Sequence, residues 1–249
     1  MTTPVLQITG LHKNFGALHV ARDIHFRLDP GARHALIGPN GAGKTTLVNL
    51  ISGALKPTAG EIMLQSRNIT HLSQAARCHL GLTRTFQINQ LFTGLTVLDN
   101  VCLSIAERTG IAASMLRPLG RRHDVIDEAM HLLESFKLQD DALTVVSELP
   151  YGRQRLVEIV IALGQKPTVL LLDEPAAGIP SAESQIILDV IEELSDEISV
   201  LIIEHDMEIV FRFANQITVL VYGTILAQGT PEEIADDKDV RSAYLGESR

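Results

Sequence analysis

A glycine-rich segment followed by a lysine and a threonine is the first place where residue types and spacing indicate chemistry. The segment fits the pattern G-x-x-x-x-G-K-[ST], in which backbone N–H groups surround phosphate oxygens. In this pattern the ammonium of Lys44 faces the β- and γ-phosphates, and the hydroxyl of Thr45 binds Mg²⁺. We therefore predict a binding site for a nucleoside triphosphate. Its residues are Gly38, Pro39, Asn40, Gly41, Ala42, Gly43, Lys44, Thr45 and Thr46.

Acidic residues and a histidine follow two further apolar runs. Asp173 and Glu174 come directly after Val169–Leu172, and His205 comes soon after Val200–Ile203. In open α/β sheets, ligands bind at the carboxyl ends of the strands. The carboxylate of Asp173 suits a metal ion and that of Glu174 suits a general base. A histidine after a strand is more often a surface residue, but together with the other motifs His205 is predicted to reach the γ-phosphate.

The elements that must position these residues alternate between strands and helices. A buried strand at 33–37 precedes the glycine-rich loop, and residues 46–52 have helical spacing. Strand–helix–strand order with continuous apolar strands predicts an α/β fold with a parallel sheet covered on both faces. From 88 to 163 helical patterns dominate, which indicates an inserted helical subdomain. Within it, the apolar residues of 124–138 fall on one helical face, and Asp124 is predicted to cap that helix.

Composition excludes several classes of protein. The chain has 249 residues and a net charge of −9, which disfavours a protein that follows a nucleic-acid backbone. With 45% hydrophobic residues the chain can form a core, so disorder is excluded. No apolar run approaches the ~20 residues of a membrane span. Two cysteines form no disulfide framework and no signal peptide opens the chain, so we expect a cytoplasmic protein.

The motifs, taken in this order, resemble those of the ATP-binding-cassette (ABC) ATPases over essentially the whole chain. The resemblance implies a P-loop NTPase cassette, with a mostly parallel core sheet and an antiparallel N-terminal β subdomain. It implies one domain over 1–249, with the nucleotide-binding core in 1–87 and 164–249. The helical subdomain, 88–163, would carry the signature motif. The signature residues are Leu149, Pro150, Tyr151, Gly152 and Arg153.

The resemblance also assigns roles to individual residues. Phe15 stands where the family places an aromatic side chain on adenine, and Gln87 matches the glutamine loop that contacts Mg²⁺ and water. ATP and Mg²⁺ are the implied cofactors. In this family two cassettes pack head to tail, so each ATP lies between the phosphate loop of one and the signature of the other. The implied catalytic residues are Glu174, His205 and Gln87, and the implied metal ligands are Thr45, Gln87 and Asp173.

Several segments look like the ATP-binding subunit of branched-chain amino-acid importers of bacteria. That group implies a second, similar ATPase subunit, two membrane permease subunits and a periplasmic solute-binding protein. The net charge of −9 argues against nucleic acid and against lipid as the main anchor. We therefore expect the chain on the inner face of the plasma membrane, attached through its protein partners. The segments that carry the likeness are 84–87, 91–97, 149–152, 173–178, 203–207, 229–231 and 243–246.

Two positions depart from the family pattern. The signature serine is replaced by Pro150, which has neither a hydroxyl nor an N–H group to offer the γ-phosphate. Pro180 stands where the family's D-loop has an acidic or amide residue. We infer that the composite ATP site receiving this signature is weaker than its mate. Equal turnover at both sites, measured with Glu174→Gln in one subunit at a time, would contradict this hypothesis.

Two alternative functions stay open from the sequence. The ATPase of a lipopolysaccharide-type exporter has a similar C-terminal tail, but usually a fuller signature. A cassette protein of DNA repair or translation is less favoured, because the chain has no long coiled coil, no zinc-ligand cysteines and no second cassette. Neither the transported solute nor the identity of the partner ATPase follows from the sequence.

Overall fold

Continuously apolar strands lie at the centre of the fold. The computed structural model describes residues 3–85, 91–111, 122–179 and 181–245. Val169–Asp173 and Ser199–Ile203 are buried along their whole length, as strands covered on both faces must be. The strands are β1 Leu6–Phe15, β2 Leu18–Leu28, β3 Arg33–Ile37, β4 Ala59–Leu64, β5 Arg67–Asn68, β6 Leu82–Arg84, β7 Val169–Asp173, β8 Ser199–Ile203, β9 Gln216–Val221 and β10 Thr224–Gly229.

The strands form two sheets in the part of the chain that the structure describes. The larger has the order β10-β9-β3-β8-β7-β6, and its neighbours pair in parallel except β10, which is antiparallel to β9. The smaller has the order β2-β1-β4-β5 and is antiparallel. Both the mostly parallel core sheet and the antiparallel N-terminal sheet are as predicted. Because β3, β7 and β8 are parallel, their carboxyl ends lie at the same edge.

Contacts divide the chain into two compact units. The sheet unit comprises Met1–Arg84, Thr168–Glu174 and Leu194–Arg249, and the helical unit comprises Thr85–Pro167 and Pro175–Glu193. Among the described residues, no helix has both the length and the apolar character needed to cross a membrane. The helices are α1 Lys44–Ser52, α2 Gln74–His79, α3 Val97–Arg108, α4 His123–Ser135, α5 Tyr151–Gly164, α6 Ser181–Glu192, α7 Met207–Phe213, α8 Pro231–Asp236 and α9 Lys238–Leu245.

Helix ends in the helical unit show where local sequence signals succeed and where they fail. Thr96 and Asp99 form a capping box at the start of α3. The prediction that Asp124 caps α4 is wrong. That helix begins at His123, its N-cap is Arg122, and Asp124 already lies in the first turn. Acidic residues are favourable at both places because the helix dipole is positive there, so the residue type does not distinguish them.

A buried histidine lies in the central sheet. His34, on β3, is 5% exposed, and its Nε2 is 2.8 Å from the hydroxyl oxygen of Thr218 on β9. Its ring meets the Phe26 ring edge-on at 4.9 Å. Burial lowers the pKa of His34 to about 4, although the Asp29 carboxylate opposes the shift. The imidazole is therefore neutral in the folded protein above that pH.

We predict that His34 makes the folded protein acid-sensitive. Its pKa is lower in the folded state than the ~6.5 of an unfolded chain, so stability is full above 6.5 and falls as the pH drops toward 4. Relative to His34→Gln, the wild type should lose about 2 kcal/mol more unfolding free energy between pH 7.5 and pH 5. Urea unfolding at several pH values measures this difference, and parallel pH curves for the two proteins would contradict it.

Candidate functional site

The glycine-rich loop joins the carboxyl end of β3 to the start of α1. A Cβ at Gly38 would lie 2.2 Å from the carbonyl oxygen of Leu220, so no larger residue fits there. Gly43 is the N-cap of α1 at φ 104, a left-handed conformation that glycine adopts without strain. These two glycines let the loop turn tightly into the helix. The positive end of α1 and the loop N–H groups then form a site suited to phosphate.

Lys44 is partly buried over this loop. Its Nζ donates hydrogen bonds to the carbonyl oxygens of Gly38, at 2.6 Å, and Pro39, at 3.2 Å. Burial lowers the pKa of Lys44, and the carboxylates of Glu174 and Asp173 oppose the shift. The lysine ammonium and both predicted carboxylates therefore lie close enough to interact electrostatically at one edge of the sheet.

Asp173 is the last residue of β7 and is 4% exposed. Its Oδ2 accepts a hydrogen bond of 2.6 Å from Nη2 of Arg84, the last residue of β6, which pairs with β7. A buried carboxylate without a cation would be costly, and Arg84 supplies that cation. The structure thus places Asp173 where it was predicted and adds a partner that the sequence motifs did not indicate.

Glu174 lies just past the end of β7 and does not follow the alternation of a strand. Its φ is +47°, a left-handed conformation that is uncommon outside glycine, and its N–H donates to the Ile203 carbonyl at 3.0 Å. Strained backbone of this kind is found preferentially at functional sites. Side chains alternate along a strand, but at Glu174 the backbone turn, and not that alternation, sets the direction of the side chain.

His205 follows β8, the strand between β3 and β7. Its side chain is 65% exposed, and its Nδ1 lies 3.7 Å from Oε1 of Glu174. The same nitrogen lies 3.9 Å from Oε2 of Glu204, which is buried beneath it. The strand order therefore brings Glu174 and His205 together from positions 31 residues apart in the sequence. A water molecule between them could contact both groups.

The oxygen donors at this edge fit Mg²⁺. Thr45 is exposed in the first turn of α1, and Asp173 carries a carboxylate at the end of β7, at the same edge of the sheet. Mg²⁺ is usually held by one or two protein oxygens, together with water and the phosphates of a nucleotide. A hydroxyl and one carboxylate match this preference.

Of the remaining predicted positions, the structure describes Phe15 but not Gln87 or Pro180. Phe15, at the end of β1, is 50% exposed, and the Lys13 ammonium lies 4.9 Å from its ring centroid. Its ring is therefore accessible to a flat ligand. Gln87 and Pro180 lie outside the described residues.

The predicted signature forms the start of α5 in the helical unit. Pro150 is the N-cap, with no side-chain hydrogen bond to the helix, and Tyr151 is 42% exposed. The first N–H groups of a helix have no intrahelical partner. In α5 these are the N–H groups of Tyr151, Gly152 and Arg153, and they lie at the positive end of the helix dipole. The Leu149 carbonyl accepts from the Gln154 amide at 2.9 Å, and the Arg153 guanidinium pairs with Asp141.

Three contacts near the phosphate loop were not predicted. The turn between β9 and β10 reaches the loop, where the Gly223 N–H donates to the Ala42 carbonyl at 2.9 Å. The Tyr244 hydroxyl, on α9, lies near the backbone of Gly38. Arg84 pairs with Asp173. The sequence indicated only that a buried carboxylate at a strand end needs a cation, and not that Arg84 supplies it.

Comparison with known protein families shows the family to which the chain belongs. Residues 21–177 match the model of the family described as ABC transporter. The chain belongs to the ABC transporter family. Residues 224–249 match a second model, described as branched-chain amino acid ATP-binding cassette transporter. That match includes β10, α8 and α9, the last of which carries Tyr244.

Relatives of known function cover the full length of this ABC chain. It is 38% identical to the high-affinity branched-chain amino acid transport ATP-binding protein LivG of Escherichia coli (strain K12), with 100% of both chains covered. It is 36% identical to the corresponding protein BraF of Pseudomonas aeruginosa, again with 100% of both covered. A solved ATP-binding cassette in its ADP conformation is 31% identical, with a TM-score of 0.87 over 99% of this chain and 100% of that one.

A nucleotide-free cassette from an ABC transporter is similar to the same degree. It is 30% identical, with a TM-score of 0.86 over 98% of this chain and 100% of that chain. The predicted family, the P-loop cassette fold and the ATPase activity are confirmed. This ABC chain is an ATP-binding and ATP-hydrolysing cassette.

Proposed function

We propose that the chain powers a bacterial ABC importer for branched-chain amino acids or related small organic solutes. The main support for the ATPase chemistry in this proposal is that four side chains lie close together at one sheet edge: Lys44, Asp173, Glu174 and His205. Two findings support the type of solute. Relatives at 36–39% identity over the full chain are named as branched-chain amino acid transport ATP-binding proteins, and residues 224–249 match a model of that transporter type.

The phosphate end of ATP is bound by the loop between β3 and α1. Lys44 leaves its two loop carbonyls to donate to the β- and γ-phosphates, where charge-assisted hydrogen bonds are stronger than those to neutral oxygens. Thr45 and Asp173 would hold Mg²⁺, with Gln87 as a further ligand by family resemblance. When bound, Mg²⁺ neutralises phosphate charge. Phe15 stacks on the adenine ring.

Glu174 acts as general base on the attacking water, and His205 hydrogen-bonds the same water or the γ-phosphate. Both groups are held in place by backbone at the ends of adjacent parallel strands, so little entropy is lost in positioning them when ATP binds. Residues 149–153 of a second cassette complete the site, because helix N–H groups stabilise negative charge on the γ-phosphate. The chain thus works as a dimer with a similar or identical ATPase subunit.

Two permease subunits and a periplasmic solute-binding protein complete the proposed transporter. The net charge of −9 disfavours attachment to anionic lipid, so the permease holds the chain at the inner face of the plasma membrane. The binding protein and the permease select the solute.

Uptake by cells tests this proposal. Deletion of the gene in its native host should reduce uptake of radiolabelled leucine, isoleucine or valine several-fold. Wild-type protein and Glu208→Gln, which removes an exposed carboxylate, should restore uptake, whereas Glu174→Gln should not. Unchanged uptake of all three amino acids in the deletion strain would overturn the assignment of branched-chain amino acids as the solute. A defect in outer-membrane lipopolysaccharide instead would favour the exporter alternative.

A further inference from the structure

Arg84 joins three elements around the phosphate-binding edge. Its side chain is 7% exposed and lies at the end of β6. Nη2 donates to Oδ2 of Asp173 at 2.6 Å, and Nη1 donates to Oδ1 of Asn49 at 2.6 Å. One guanidinium therefore connects β6, the acidic end of β7, and α1, the helix that follows the phosphate loop.

The position of Asn49 links this contact to Thr45. The two residues are four apart on α1, so they lie on the same face of the helix, one turn from each other. A guanidinium presents its N–H groups in a fixed planar fork, so binding two acceptors fixes the separation between them. Arg84 thus sets the distance between the helix face that carries Thr45 and the carboxylate of Asp173.

We propose that Arg84 is a positioning residue for the Mg²⁺ site. It holds Asp173 in one orientation through Oδ2, while the carboxylate keeps a second oxygen with which to accept. It also places a positive charge 2.6 Å from a carboxylate that is only 4% exposed. This inference rests on the proposed function, because Thr45 and Asp173 are its proposed metal ligands.

Mn²⁺ binding tests this role. In the presence of ATP, the Arg84→Gln protein should bind Mn²⁺ about tenfold more weakly by electron paramagnetic resonance, because loss of a partner that orients a metal ligand has this effect. ATP binding in EDTA should stay within about twofold, because Lys44 and the loop are unchanged. Arg84→Lys, which keeps the charge but not the fork, should recover part of the affinity.

Two further variants keep the test decisive. Asn49→Ala removes one arm of the contact without removing the ion pair, and it should weaken Mn²⁺ binding less than Arg84→Gln does. Arg108→Gln breaks another arginine–carboxylate pair, with Glu128 in the helical unit, and should leave Mn²⁺ affinity unchanged even if the Tm falls. Mn²⁺ affinity within twofold of wild type in both Arg84→Gln and Asn49→Ala would overturn the role of Arg84. A wild-type protein that neither binds Mn²⁺ with ATP nor hydrolyses ATP would instead refute the proposed function.

Discussion

Glu174→Gln is expected to lower the rate of ATP hydrolysis by about 10²–10⁴-fold, the usual contribution of a general base, while ATP still binds. The amide keeps the size of the side chain but cannot take a proton from water. The backbone at φ +47° and the hydrogen bond to Ile203 depend on the main chain, so the turn should survive the substitution. Phosphate release measures hydrolysis, and calorimetry with ATP measures binding.

A nearby carboxylate provides the matched control. Glu208 is exposed in the first turn of α7, three residues after His205, so Glu208→Gln removes the same charge without touching Glu174. Its hydrolysis rate should equal that of the wild type. Normal hydrolysis by Glu174→Gln would remove the assignment of Glu174 as base. His205 should then be tested in that role, since it lies 3.7 Å away.

Much of this site could be predicted because its signals are local. A glycine-rich loop needs its glycines at fixed spacing, and apolar runs that end in Asp173 or His205 identify parallel strands and their carboxyl edge. The parallel arrangement then brings distant strand ends together without any further sequence signal. This explains why the acidic and histidine positions could be named before their distances were known.

The contacts that were not predicted depend on partners far apart in the chain. Arg84 and Asp173 are 89 residues apart, and Arg84 in isolation resembles any charged residue at a strand end. The left-handed backbone of Glu174 has no residue-type signal, because glycine, Asn and Asp are the usual residues at positive φ. The contact between Tyr244 and Gly38 depends on where α9 packs, which local periodicity does not specify.

Lys44→Ala should abolish measurable ATP binding at micromolar ATP. A hydrogen bond to a charged group contributes about 1.5–3 kcal/mol, so losing two to phosphate oxygens weakens binding about 10²–10⁴-fold. The free protein also changes, because Nζ bonds the carbonyls of Gly38 and Pro39. Lys44→Met keeps the aliphatic stem over the loop and removes the ammonium, with its charge and its N–H donors. Calorimetry should therefore find a similar loss of affinity in both variants.

A second lysine of the sheet unit separates the effect of charge from that of position. Lys56 is exposed, and Lys56→Ala removes one positive charge while leaving its backbone carbonyl as acceptor for Lys13. Its ATP affinity should match that of the wild type. If Lys44→Met bound ATP as tightly as Lys56→Ala, the ammonium would not contact the phosphates. The loop N–H groups and the end of α1 would then carry phosphate binding without it.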